Sequence, residues 1–299
     1  MPDSLSHAPP IISIDVEDWP QSSWDRSLPV TRRSADNTRR LLELLARADI
    51  RATMFVLGKF AEAFPEVVKD LDAAGHEVAS HGYGHVEIFK QSREEFATDL
   101  RRSKDLLEQC IGKPIRGYRA PDFSIIRSSL WALDELAEQG FEYDSSIFPV
   151  KRPRYGIPDW PLVPTRVQLG GGRSIVEFPI ASYRALGKNW PVGGGGYHRL
   201  LPGLAGRWFA GRVMRDRPFV FYCHPYEFDP HEFAEIDLPI PLKVRLHQGL
   251  GRSRFESRFV RLVKRFGGGR MGDLLDARSW PDFRLEELTA PNAAAALTN

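Results

Sequence analysis

The chain has little of what marks several common protein classes. Two cysteines, Cys110 and Cys223, in 299 residues exclude a disulfide scaffold and a cysteine-rich zinc module. No run approaches the roughly 20 apolar residues that a membrane span requires. Neither sign of charge dominates: 41 Lys and Arg against 39 Asp and Glu leave a net +2, so no nucleic-acid partner is expected. There is no internal repeat and no long linker. The start, MPDSLSHAPPIISIDVEDW, lacks a basic region and has only a short apolar run at Ile11–Ile14. We therefore expect no signal peptide and a cytoplasmic location, where two free thiols need no pairing. A chain of this length buries about three quarters of its unfolded surface and needs no staples.

What is present is an alternation of short apolar runs and helix-period segments. Ile11–Asp15, Ala52–Leu57, Glu77–Ser80, Ile115–Tyr118 and Phe141–Asp144 read as strands. Asn37–Asp49, Pro65–Ala74, Arg93–Ile111 and Ser128–Gln139 read as the helices between them. That rhythm predicts a mostly parallel sheet with helices outside, as a closed (β/α) barrel first and an open doubly wound sheet second. Val163–Leu169 and Ser174–Phe178, around Gly170–Gly172, read as an inserted hairpin. A helical Leu200–Met214 then leads into a last core strand at Pro218–Cys223. Arg252–Phe266 (RSRFESRFVRLVKRF) has Phe255, Phe259, Leu262, Val263 and Phe266 at helical spacing amid basic residues. Its apolar stripe suits packing on the barrel; the competing reading is peripheral contact with the inner face of an anionic membrane. We divide the chain into a loose segment (1–10), a barrel (11–250), a basic helical extension (251–288) and a disordered tail (289–299).

Chemistry-bearing residues recur just where strands end, the place where parallel α/β folds carry their sites. The first strand runs into Asp15-Val16-Glu17-Asp18. Asp15 and Glu17 are two apart and share a face of an extended chain. Next comes Ser80-His81-Gly82-Tyr83-Gly84-His85. One helical turn, or glycine bends, would bring both imidazoles together at a spacing suited to zinc and similar divalent ions. Gly117-Tyr118-Arg119-Ala120-Pro121 offers a guanidinium to a carboxylate. Tyr143-Asp144-Ser145-Ser146 is a turn signal first. His224 ends the last strand, where a histidine can act as a general acid near neutral pH. Cys223 reads as core. Together these residues fit a mononuclear hydrolase with carboxylate and His₂ ligation, a carboxylate base and a histidine acid.

In order and wording these motifs resemble the polysaccharide deacetylase family, which carries the NodB-homology domain. SIDVEDW, SHGYGH, GYRAPDFS, YDSSIFP, GGGGYHRLLP and HPYEFD most resemble its branch associated with exosortase and exopolysaccharide gene clusters, over roughly residues 10–250. The resemblance implies a distorted (β/α) barrel, a divalent metal, usually zinc, and removal of N-acetyl groups from an amino sugar. One departure matters. Val16 stands where most of the family has its second aspartate, so Asp15 fits the base and the ligand falls to Glu17 or Asp18 beside His81 and His85. Implied roles follow: His224 protonates the leaving amine, Arg119 holds Asp15, and Asp144 orients His224. Trp19, Tyr83, Pro121 and Tyr197 are the candidates for contact with substrate, whether lipid-linked, nucleotide-linked or oligomeric. An amidase acting on a non-sugar C–N bond and a catalytically silent sugar-binding domain are the competing functions.

Overall fold

The computed structural model describes residues 9–289. The expected loose start and tail fall outside them, apart from Pro9, Pro10 and Thr289. Five parallel strands build the first half: β1 (Ile11–Val16), β2 (Thr53–Val56), β3 (Glu77–Ser80), β4 (Gly117–Tyr118) and β5 (Tyr143–Asp144). Helices α1 (Arg32–Arg47), α2 (Gly58–Ala63), α3 (Pro65–Ala73), α4 (Arg93–Ile111) and α5 (Trp131–Glu138) connect them. The predicted hairpin is present as β6 (Thr165–Gln168) and β7 (Ser174–Glu177), and β7 joins β5 in parallel. A second hairpin, β8 (Ser182–Ala185) and β9 (Lys188–Pro191), stands apart from the sheet. Then follow α6 (Gly195–Leu200), α7 (Gly203–Val213) and β10 (Val220–Cys223), which returns to pair with β1. After it come α8 (Glu232–Glu235), α9 (Leu242–Gly249), α10 (Arg252–Phe266), α11 (Met271–Ala277) and β11 (Asp282–Arg284).

The sheet order is β10-β1-β2-β3-β4-β5-β7-β6-β11. It curls like a barrel, but no ladder closes it among the described residues, which corrects the expectation of a closed barrel. The reason is that two hairpins interrupt the parallel run after β5, so no regular strand arrives to pair with the free side of β10. Irregular chain spans the gap instead. Ala181 N–H donates to the Val220 carbonyl at 3.1 Å, and Tyr222 N–H donates to the Gly193 carbonyl at 2.8 Å.

Strand parity sorts the core into two sides. Ile12, Ile14, Met54, Val56 and Val78 pack outward under the helices. Ile11, Phe55, Ala79, Tyr143, Val176 and Val220 pack inward and fill the interior. All six residues of β1 are buried. On it Asp15 follows Ile11 and Ser13 on the inward side, which places a carboxylate at the top of a filled core. Helix α4 is fixed at both ends. Ser92 and Glu95 form a capping box at its start, and Gly112 ends it with a left-handed φ of 67°.

In α10, Phe255, Phe259, Leu262 and Val263 are buried, with Phe255 and Phe259 against Phe228 and Phe259 against Phe221. The stripe that a membrane would have taken is therefore spent on the core. No helix among the described residues is long and apolar enough to cross a membrane.

Candidate active site

The carboxyl ends of β1, β3 and β10 face a cleft of about 430 Å³ lined by Asp15, Glu17, Trp19, His81, His85 and His224. Asp15 and Glu17 reach it together, as their shared parity requires. Asp18 has the opposite parity and turns away. It accepts the backbone N–H of Thr31 at 2.6 Å and its hydroxyl at 3.0 Å, just ahead of α1. Burial pushes the Asp18 carboxyl up to about 7 against those two bonds. Of the two ligand candidates, only Glu17 lies with the histidines.

The SHGYGH segment is not helical; it bends. Gly82 has φ 73° and His85 φ 60°, both in the left-handed region. Asp99 of α4 holds the bend by accepting the Tyr83 N–H at 2.9 Å. Its Oδ1 also comes so near Gly82 that a Cβ there would sit 2.9 Å away. The bend turns both imidazoles onto Glu17: His85 Nε2 lies 2.8 Å and His81 Nε2 3.5 Å from Glu17 Oε2. His81 Nδ1 lies 2.9 Å from the Arg119 carbonyl, an acceptor that fixes its proton there and leaves Nε2 free to ligate.

The ligand atoms of Glu17, His81 and His85 lie within 4.8 Å of one another, all buried. His85 Nδ1 is buried without a hydrogen-bond partner, and Glu17 Oε2 meets only the two imidazoles. Burial raises the Glu17 carboxyl, but His85 and His81 outweigh it and hold it well below the usual carboxylate range. Burial lowers the His85 imidazole, but Glu17 drives it up to about 9. Buried ligand atoms that converge without satisfying one another, in a set of two imidazoles and one carboxylate, fit a divalent ion with open coordination positions.

Around the trio stand the other predicted residues. Arg119 is fully buried and donates from Nη1 to Asp15 Oδ1 at 2.6 Å. It also donates to the Ser145 carbonyl at 3.0 Å and Ser145 Oγ at 2.9 Å, and its guanidinium lies 4.1 Å over the Phe55 ring. His224 Nε2 is 3.9 Å from Asp15 Oδ2 and 3.7 Å from Glu17 Oε1. Its ring stacks on Tyr226 at 4.6 Å.

Asp144 does not reach His224. It bonds the hydroxyl of Ser146, which in turn accepts the Ala120 N–H at 2.7 Å. YDSS is thus a bracket for the Arg119 turn. Behind it lies a residue that the sequence reading missed, Glu177, the register partner of Asp144 on the next strand, whose Oε1 accepts the Ile147 N–H at 2.9 Å. Burial raises both carboxyls, and Asp144 raises Glu177 further.

The partner of His224 is another missed residue, Glu227. Its Oε1 lies 3.0 Å from His224 Nδ1, and Arg199 holds its Oε2 at 2.9 Å. Pro225 starts a tight 3-10 turn that brings Glu227 back over His224. Burial lowers the His224 imidazole, but the bond to Glu227 and the charge of Glu17 outweigh it and raise it above its ordinary value.

Of the substrate-contact candidates, Trp19 lines the cleft, with its ring edge-on to Phe233 at 4.6 Å. Pro121 is buried where a 3-10 turn begins, beside cleft residues Ala120 and Asp122. Tyr83 faces elsewhere, bonded to Glu62 at 2.6 Å under the Arg102 guanidinium. Tyr197 stands behind the cleft wall, its hydroxyl 3.1 Å from that of Tyr155.

The molecule is therefore an α/β protein with a carboxylate–imidazole cluster at the carboxyl ends of parallel strands. Residues 11–141 match the family model described as polysaccharide deacetylase. Residues 145–276 match a domain of unknown function, DUF3473. Among curated relatives, a peptidoglycan deacetylase of Helicobacter pylori is 36% identical over 110 residues, 36% of each chain. A peptidoglycan-N-acetylglucosamine deacetylase of Bacillus cereus is 29% identical over 99 residues, 33% of this chain and 36% of that one. The chain thus spans about a third of the length of these curated relatives. The fold is also that of a probable polysaccharide deacetylase from Pseudomonas aeruginosa, with TM-score 0.57, 15% identity and 89% of each chain covered. PuuE allantoinase shares it with TM-score 0.58 and 14% identity, over 89% of this chain and 88% of that one.

Proposed function

We propose that this chain is a metal-dependent hydrolase that removes N-acetyl groups from an amino sugar in a glycan or glycan precursor. The observation that carries the reading is the convergence of Glu17, His81 and His85 beside an acid–base pair on one cleft. These three residues would hold the ion, and their chemistry suits zinc. When bound, the ion would supply polarisation of the acetamide carbonyl and acidification of water at the site.

The chain's own residues do the rest. Arg119 ties down Asp15 Oδ1, so Oδ2 is the oxygen left to take the proton of attacking water. His224, whose bond to Glu227 favours its protonated form, gives its Nε2 proton to the departing amine. His224 Nε2 and Asp15 Oδ2 are 3.9 Å apart, beyond hydrogen-bond distance of each other, so both can face one substrate atom beside them. Trp19 forms part of the cleft wall. The likeness to the exopolysaccharide-associated branch, and with it a carrier-linked or oligomeric substrate, rests on the wording of the sequence motifs.

The test pairs metal analysis with acetate release from N-acetylglucosamine oligomers. Wild type should carry about one zinc per chain and release acetate, and His81→Ala/His85→Ala should lose both. A chain that holds no metal after reconstitution at neutral pH would overturn the reading. A metal-loaded chain that releases no acetate from any N-acetylated glycan would remove the deacetylase assignment and leave the metal site standing.

A further inference from the structure

The described residues expose ten large apolar side chains, and eight of them lie between residues 186 and 250. Six form two ridges. On α9, Leu242, Leu246 and Leu250 recur every fourth residue and are 69%, 65% and 61% exposed. On α6 and α7, Leu200, Leu204 and Trp208 repeat that spacing at 52%, 77% and 57%. The ridges adjoin where Arg199 donates to the carbonyls of Gln248 and Leu250 at 2.5 and 3.2 Å. The β8–β9 hairpin extends the second ridge: Tyr183 packs edge-on to Trp208 at 5.7 Å, and Leu186 at the hairpin turn is 92% exposed. An amphipathic helix with its leucines outward reverses the usual arrangement on a globular surface, and clustering of this kind marks an interaction face.

Two observations name the occupant. The first is charge. Residues 195–215 and 238–255, which carry both ridges, contain no Asp or Glu but eight Lys and Arg. Lys243 and Arg254 stand exposed among them. Arg199 and Arg252 are buried in ion pairs with Glu227 and Glu232, and Arg212 faces Asp216. That leaves Arg215, Lys243 and Arg254 as exposed bases beside the apolar ridges, a combination that matches a bilayer with anionic headgroups. The second is continuity with the site. Val244 and Gln248, on the other side of α9, line the cleft, and Val244 packs on the cluster of Trp19 and Tyr226. The helix that offers leucines outward is therefore a wall of the cleft mouth.

We propose that the α6–α7 and α9 ridges seat this protein on an anionic lipid surface, with the mouth of the cleft beside that surface. The inference does not depend on the deacetylase reading, because binding is measured without turnover. The test is co-sedimentation with vesicles of phosphatidylcholine alone and with phosphatidylglycerol added. Wild type should partition at least about tenfold more strongly onto the anionic vesicles at low salt and release as salt is raised. Leu242→Gln/Leu246→Gln/Leu250→Gln should lose at least about tenfold of that partitioning, as should Leu204→Gln/Trp208→Gln, with unchanged melting temperature. Two outcomes overturn the proposal. One is equal partitioning of wild type and both variants. The other is a wild-type dimer in light scattering that the variants dissociate, with no vesicle binding, which would make a second copy the occupant.

Discussion

His76 and His81 stand at opposite ends of one four-residue strand, β3, and their surroundings differ in sign. At the lower end, burial and the charges of Arg270 and Arg51 push the His76 imidazole down to about 4. Its Nδ1 accepts the Ala52 N–H at 3.1 Å, so it is neutral and used. The carboxylate beside it is used as well: Glu77 accepts the Thr53 hydroxyl at 2.7 Å and the Gly272 N–H at 2.9 Å. At the upper end, Glu17 answers burial with the opposite charge and lifts His85 to about 9. There His85 Nδ1 has no hydrogen-bond partner and Glu17 Oε2 meets only the imidazoles. Burial is common to both ends and lowers His76 and His85 alike. What separates a structural end from a chemical one is which charge arrives and whether its lone pairs are already committed.

The sharpest way to break this comparison is at Asp15. It belongs to the upper end but is not among the converging ligand atoms. Asp15→Asn should therefore lower kcat about 10³-fold and leave metal content at the wild-type level. Loss of metal along with activity would make Asp15 a ligand and erase the division of labour within the site.

A smaller effect sharpens the comparison at His224. As the acid, His224 must be protonated, so kcat falls as pH rises through its pKa, and Glu227 raises that pKa. Glu227→Gln should move the alkaline limb of the kcat profile to lower pH and cost about tenfold in kcat near neutrality. A fall in rate with an unmoved limb would show that Glu227 only orients the ring.

Much of this was legible in the sequence because local pattern and tertiary need agreed. The apolar stripe, capping box and terminal glycine fix α4 at Arg93–Ile111, the bounds its spacing predicts. Parity alone puts Asp15 and Glu17 on one face. Other features have no local signature. The inserted hairpins that keep the sheet from closing act through pairings distant in sequence. Asp18 is separated from Glu17 only by the turn toward Thr31. Glu177 meets Asp144 from the next strand of the sheet. Glu227 did have a signal, since it stands three residues after His224 with Pro225 at the start of a tight turn, a spacing that returns one side chain over the other.

The smallest predicted effect lies at the lower end of β3 and tests the comparison from its structural side. A histidine held at about 4 in the folded chain titrates near 6.5 when unfolded. Between those values the unfolded chain binds a proton that the native one does not, so stability is whole above pH 6.5 and falls as pH drops toward 4. The slope is about 1.4 kcal/mol per pH unit for one group, and the loss reaches at most about 3 kcal/mol. His198, also buried and held at about 4 by that burial, adds its own share. His76→Asn places an amide oxygen at the Nδ1 position for the Ala52 N–H and removes the titration. Urea unfolding at pH 7, 6, 5 and 4.5 should then show a shallower loss of stability than wild type, with kcat at neutral pH unchanged. Carboxylate titrations act on both proteins and cancel in the difference. Equal slopes would mean that His76 is protonated in the native state, and that burial beside two arginines does not keep the lower end of the strand neutral.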